Sequence, residues 1–345
     1  MVDLKWQVTA VALALKSPLR TTKGSINERQ LWLLKVEDER AHGWGEASPL
    51  PGFGGEDPAR CLEALQHIPG APREALTYAA TIAVDSPCAA AAIRGALADH
   101  QARVRKVPLA VQLAASQGLR PSPRLRCNAL LACGDSEQAL SAQAQGFTAL
   151  KWKSCGDPVQ DALDVQRIRK AVGPSIRLRI DANGAWTQAQ TLTFAEQVAH
   201  SDLDYVEQPL PVGEEAALSH LTQAKLRVAL DESVHSLAAI ASACDSCWAE
   251  VLVIKAQWLG GYPALRQAVN LARARHPRRV VVSSTLDSAV GRAHTLHAVA
   301  ALSLDSEAHG LATGSLFTHD VGNDGLIGGR WQLSKEPGIG LEPKL

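Results

Sequence analysis

The chain has 345 residues, more than one ordinary domain needs and enough for a large barrel with a smaller appendage, so a marginal mini-protein is excluded. Its 35 Lys and Arg balance 35 Asp and Glu, which removes the broad electrostatic case for nucleic acid or an anionic membrane and leaves a small molecule as the expected partner. No stretch approaches the roughly 20 apolar residues of a membrane helix, and the opening MVDLKWQVTAVALALK lacks the cationic start and cleavage site of a secretory signal, so a cytoplasmic protein is expected.

In chain order, residues 5 to 15, 29 to 38 and 41 to 47 read as strands of a small antiparallel meander, with the polar segment KSPLRTTKGSINE between the first two as a loop and lid. Arg20 and Lys23 in that loop are either solvated or placed to meet a substrate carboxylate. From about 56 to 103 the pattern turns helical and Ala-rich, with Pro87 suited to a first turn. From Arg124 onward, short apolar runs alternate with longer helical patterns: RLRCNALL, TALKWK, IRLRIDAN, YVEQPL, RVALDES, AEVLVIKA, RRVVVSSTL and EAHGLAT. Eight such strands argue for a parallel barrel, with the last helix missing or replaced. The expected class is α/β: a (β/α)7β TIM-like barrel over 120–317, with an α+β amino-terminal capping domain over 1–108 completed by the Gly-rich tail at 318–345. The seven Cys, odd in number and scattered, suit a reducing compartment, and the CxxC pair Cys244 and Cys247 reads as coincidence or helix packing. A homo-oligomer is compatible with this composition.

Charged residues interrupt these buried runs at their carboxyl ends, where charge is costly without a partner. Lys153, Asp181, Glu207, Asp231 and Lys255 stand 28, 26, 24 and 24 residues apart, one βα unit each. The carboxyl ends of barrel strands open on one face, so this spacing brings three carboxylates and at least two lysines into one pocket. Three acids on adjacent strands repel unless a cation sits among them, and an all-oxygen set suits magnesium, which makes Asp181, Glu207 and Asp231 the expected ligands. Taken singly, a strand-end acid is more often a cap, and Asp231 could cap the helix after it. On a strand, Lys151 and Lys153 point into the barrel mouth and Trp152 away from it. Mutual repulsion and desolvation lower their proton affinity, so at least one of them is expected to serve as a neutral base. Lys255, four strands on, faces them across the pocket. The reaction class is proton abstraction next to a carboxylate held by the metal, the pattern of a Lys base with magnesium that is already described for enolase-type sites.

The motifs LKWK, IDANGAW, VEQPL, LDES, VIKAQWLGG and VSSTLDSAVG, taken in order, resemble the strand-end motifs of the enolase superfamily, muconate-lactonizing subgroup, and within it the o-succinylbenzoate synthase family. GWGEASPLPGFGGE resembles the segment that closes over the pocket. The resemblance covers nearly the whole chain. It implies that Lys153 is the base, that Asp181, Glu207 and Asp231 hold magnesium, and that Lys255 faces the ring of the intermediate. Lys151 would hold the carboxylate. It further implies a syn dehydration in menaquinone or phylloquinone biosynthesis. Expected substrate contacts are Asn183, Ser283, Ser284, Gly260 and Gly261, although the serines suit a helix cap and the glycines a turn equally well. The rival within the superfamily is an N-acylamino acid racemase or dipeptide epimerase, since lysines on opposite faces suit removal and return of a proton. SEAHGLATGS lacks the Asp-x-Asp by which dipeptide epimerases hold an amino group. A cycloisomerase comes third, and a non-catalytic metal-binding barrel would leave the joint presence of base, ligands and opposite lysine unexplained.

Overall fold

Alternating apolar residues build the amino-terminal sheet. The computed structural model describes residues 3–21, 24–52, 56–132, 134–224, 226–246, 248–274 and 278–345. In it β1 (Lys5–Thr21), β2 (Gly24–Glu37) and β3 (His42–Ala47) form an antiparallel meander. The segment expected to be a loop is instead the far end of a long hairpin, with Leu19 opposite Ile26 and Thr21 opposite Gly24 beyond an irregularity between Ala14 and Leu19. An exposed two-stranded ribbon has little to bury, so its sequence is polar and the strand signal fades. The side chains of Arg20 and Lys23 lie outside the described residues.

Three helices follow: α1 (Pro58–Gln66), α2 (Pro72–Thr81) and α3 (Pro87–Val104), each with a proline in its first turn. The buried alanines of α3 pack on the sheet, and the closest approach is at β3. A Cβ on Gly43 would run into the Ala96 carbonyl, and one on Gly45 into that of Ala92. Gly45→Ala is therefore expected to cost about 1–3 kcal/mol or more through overpacking. Urea unfolding measures it, and an unchanged midpoint would show that helix and sheet separate freely.

After α4 (Leu109–Ala115), RLRCNALL forms a strand broken at Asn128 into β4 (Arg124–Cys127) and β5 (Ala129–Leu131). Then come β6 (Ala149–Lys153), β7 (Arg177–Asp181), β8 (Tyr205–Glu207), β9 (Val228–Leu230), β10 (Val251–Ile254) and β11 (Arg279–Val282), parallel to β5 and adjacent in sequence order. The helices α5 (Ser136–Ala144), α6 (Pro158–Val172), α7 (Gln188–Val198), α8 (Leu237–Ser246), α9 (Tyr262–Ala274) and α10 (Ala289–Ala301) alternate with these strands, and a 3-10 stretch at Glu215–Ala224 stands between β8 and β9. Asp135, Asp157, Thr187 and Ser288 cap α5, α6, α7 and α10. The short β12 (Ala308–His309) pairs with β4, and a parallel bridge joins Ser283 to Gly310. This is a TIM-like barrel with a capping unit. The tail adds a strand that the sequence did not suggest, β13 (Arg330–Gln332), antiparallel to β4. It then reaches the first unit, where Ile339 N donates to Asp99 at 2.7 Å and Trp44 Nε1 to Glu342 at 3.0 Å.

Inside the sheet, away from the strand ends that carry the lysines, sits a buried ion network. Arg179 is fully buried, donates to Asp204 at 2.8 Å and lies over the Tyr205 ring at 4.8 Å. It also contacts Glu307 at 3.3 Å, and Arg279 bridges Asp204 at 2.8 Å and Glu307 at 2.7 Å. Burial alone would raise the Asp204 carboxyl, but Arg279 and Arg179 hold it below the usual carboxylate range. Among the described residues no helix is long and apolar enough to cross a membrane.

Candidate active site

Register sets the site. In the ladder Lys153 stands opposite Asp181 and Asp181 opposite Glu207, while Asp231 and Lys255 each follow the last residue of their strand. One cavity is lined by Lys151, Lys153, Asp181, Asp231, Lys255 and Asn183, with Ser283 and Ser284 in the same wall, and Glu207 lies buried beneath Lys151. Trp152 points away into the core.

The two lysines of β6 part company. Lys151 Nζ lies 2.6 Å from Glu207 and 3.0 Å from Asp181. Burial pulls its pKa down, yet the two carboxylates raise it well above its ordinary value, so Lys151 stays a cation and not the neutral base that repulsion alone suggested. Lys153 Nζ donates instead to Asn183 Oδ1 at 2.7 Å, and Asn183 Nδ2 donates to Glu232 at 3.0 Å. Asn183 holds this bridging position with a φ of 47°, a left-handed conformation that Asn tolerates better than most residues, and its N–H donates to Asp181 at 3.1 Å. Lys255 pairs with Asp231 and lies 4.6 Å from the centre of the Trp258 ring.

The acids crowd one another. Burial pushes the Glu207 carboxyl up to about 8 against the pull of Lys151, and Asp181 and Asp231 add to the rise. Burial would also raise Asp181, but Lys151, Lys153 and Lys255 together hold it below its ordinary range. Asp231 opens a 3-10 turn without a side-chain capping bond, so the helix-cap reading of it fails. Among the described residues no three acidic, histidine or cysteine side chains are already gathered as an ion cage; each acid turns to a lysine. The donor set nevertheless fits a hard divalent cation. Glu207 Oε2 is buried without a hydrogen-bond partner, and Asp181 and Asp231 are close enough to raise the proton affinity of Glu207.

Ser283 and Ser284 line the cavity, and Ser284 Oγ also accepts from Asp287 N at 3.0 Å in the turn before α10. Gly260 and Gly261 fit the turn reading, at φ of 86° and 91°, and do not line this cavity. A Cβ on Gly260 would lie 2.8 Å from Arg94 Nη1 and one on Gly261 3.2 Å from Ala91 Cα, so both also pack directly against α3. Sequence reading missed Glu232, Trp258, Asn128 and Thr285, all in the cavity wall. Trp258 was findable, because it follows Lys255 by one turn and its N–H donates to the Lys255 carbonyl at 3.2 Å. From the first unit, Leu50 lines the cavity along with Leu19 and Ile26 of the hairpin, while 53–55 of the expected closing segment lie outside the described residues.

A family model described as Enolase C-terminal domain-like matches residues 135–345. The chain is also 32% identical over 302 residues to an o-succinylbenzoate synthase of Thermosynechococcus vestitus, covering 85% of this chain and 88% of that one. The chain belongs to the enolase superfamily. Its superfamily relatives include an N-succinyl-L-Arg/Lys racemase of Bacillus cereus, 28% identical over 211 residues, covering 60% of this chain and 56% of the relative. In structure it is similar to a substrate-liganded L-Ala-D/L-Glu epimerase of Bacillus subtilis, with a TM-score of 0.89 and 23% identity over the full length of both chains. At that identity the likeness speaks to the fold alone, and it supplies the TIM-like barrel and capping unit of this superfamily chain.

Proposed function

We propose that the chain is a magnesium-dependent hydro-lyase carrying out the o-succinylbenzoate synthase reaction, the syn dehydration of 2-succinyl-6-hydroxy-2,4-cyclohexadiene-1-carboxylate to 2-succinylbenzoate. The observation that carries the reading is the meeting of Lys153 and Lys255, from strands four apart, at one cavity with three acids between them. The work would be done on a (β/α)7β barrel at 120–317, capped by 1–108 and completed by 318–345. Cys61, Cys88 and Cys127, buried in the core as thiols, support a reducing, cytoplasmic setting.

Asp181, Glu207 and Asp231 would hold the magnesium ion, which when bound would offset the charge that builds on the substrate carboxylate. Lys151, a cation already, holds that carboxylate. Lys153 Nζ takes the proton from the adjacent carbon and returns it to the departing hydroxyl on the same face, so that water leaves and the ring becomes aromatic. Asn183 aims Lys153 through its 2.7 Å hydrogen bond. Lys255 stabilises the planar anion from the other side, and Leu19, Ile26 and Leu50 keep water out.

The opposed lysines also suit a racemase, which the B. cereus relative makes the second reading. Against an epimerase of dipeptides, the eighth-strand region gives the wall Gly310, Ala312 and Thr313 and no carboxylate among the described residues. Incubation with the cyclohexadiene acid and with N-succinyl amino acids, followed by ultraviolet absorbance and optical rotation, separates the readings. Dehydration of the first is the expected result. Racemisation without dehydration would replace the proposal.

A further inference from the structure

A second cavity, of about 230 Å3, adjoins the turn that carries Lys255 and lies at the seam between cap and barrel. Its walls are mostly apolar: Leu97 and Ala98 of α3, Leu109 and Leu113 of α4, Ala256 after β10 and Ala298 of α10. One charge stands out among them. Arg94 lines the cavity, donates from Nη1 to Gly260 O at 2.6 Å, and pairs with no carboxylate among the described residues. Burial lowers its pKa with no acid opposing it. Arg94 is half-buried, and the buried Arg179 differs from it in having Asp204 beside it; an unpaired charge in an apolar setting is costly.

The local chain is shaped around this cation. Gly260, held in the turn at a φ of 86°, leaves its open side to the Arg94 guanidinium, whose Nη1 lies 2.8 Å from where a Cβ would stand. Glu46 borders the same cavity but does not neutralise Arg94. Its carboxylate is taken up by the hydroxyls of Ser48 and Ser288 and by the backbone N–H groups of Ser288 at 2.9 Å and Gly291 at 2.8 Å. His294, in the same wall, is buried against the Trp44 carbonyl at 2.7 Å, and burial lowers its pKa, so it adds no second positive charge.

We propose that the seam is a binding site for a small monocarboxylate with an apolar body, of the size of a substituted benzoate. The carboxylate sits on the Arg94 guanidinium and the body lies against Leu97, Leu109 and Leu113. A dry cavity of about 150 Å3 already takes benzene, so the space here suits a ring with its carboxylate. A charge-assisted hydrogen bond contributes enough to favour the acid over its alcohol by roughly 10–100-fold.

The test titrates the full chain with 4-fluorobenzoate and with 4-fluorobenzyl alcohol, followed by fluorine NMR, with EDTA present so that the proposed magnesium ligands hold no ion. Saturable binding of the acid, at least about tenfold tighter than the alcohol, is expected. Arg94→Gln should erase that preference, and Ala98→Leu, which keeps the arginine and fills the space, should weaken both ligands. Lys153→Ala should bind as the wild type does. Equal binding of acid and alcohol, no saturable binding, unchanged acid binding in Arg94→Gln or in Ala98→Leu, or loss in Lys153→Ala would each overturn the site. None of these outcomes depends on which substrate the active site turns over.

Discussion

Lys153→Ala is expected to lower turnover of the cyclohexadiene acid by about 10²–10⁴-fold or more, the contribution of a positioned acid–base group, and here one group serves both the proton abstraction and the departure of water. The folded state should tolerate the change. Lys153 lines a cavity, and its hydrogen bond to Asn183 can be replaced by water at the cavity edge. Magnesium affinity should survive, because the proposed ligands Asp181, Glu207 and Asp231 remain and Lys151 still neutralises two of them. Absorbance at the product band, calorimetric titration with magnesium and a melting curve check the three parts. Turnover within a few-fold of the wild type would remove Lys153 from the role of base.

Arg179→Met is expected to remove about 3–5 kcal/mol of stability, the cost of breaking a buried ion network by taking away one partner. Asp204 and Glu307 would be left inside the barrel with Arg279 and the half-exposed Arg177 to balance them. The acid limb of the stability curve should move as well. Asp204 ionises below its ordinary value in the folded chain, so it contributes stability at neutral pH that is lost as pH falls through that depressed value. Without Arg179 the depression is smaller, so the loss should be smaller and complete at a higher pH. Urea unfolding across pH 3 to about 7 measures both effects. A change under about 1 kcal/mol would show that Arg279 alone holds the network.

The site was more legible in the sequence than the fold around it. Lys153, Asp181, Glu207, Asp231 and Lys255 break apolar runs at one-unit spacing, and a parallel barrel turns such spacing into proximity. The hairpin was hidden because its described far-end residues, 16–19 and 25–28, bury too little to leave a periodic pattern. Gly260 and Gly261 fit the turn reading, but their packing on Arg94 and Ala91, over 160 residues earlier in the chain, was not legible, because no local pattern announces a helix from another unit. Separation along the chain also hid the Arg179 network: IRLRID looks like an ordinary strand until Glu307, 128 residues on, arrives beside it. Charge division within the KxK pair also needed geometry, since both lysines share a strand face and only position decides that Lys151 meets the carboxylates and Lys153 meets Asn183.

The central claim is that Lys153 removes a proton from the carbon next to the carboxylate on the way to dehydration. A single-turnover comparison of the cyclohexadiene acid with its counterpart carrying deuterium at that carbon isolates this step from product release. Slower aromatisation of the deuterated acid is the expected result. An identical rate for both would contradict the claim.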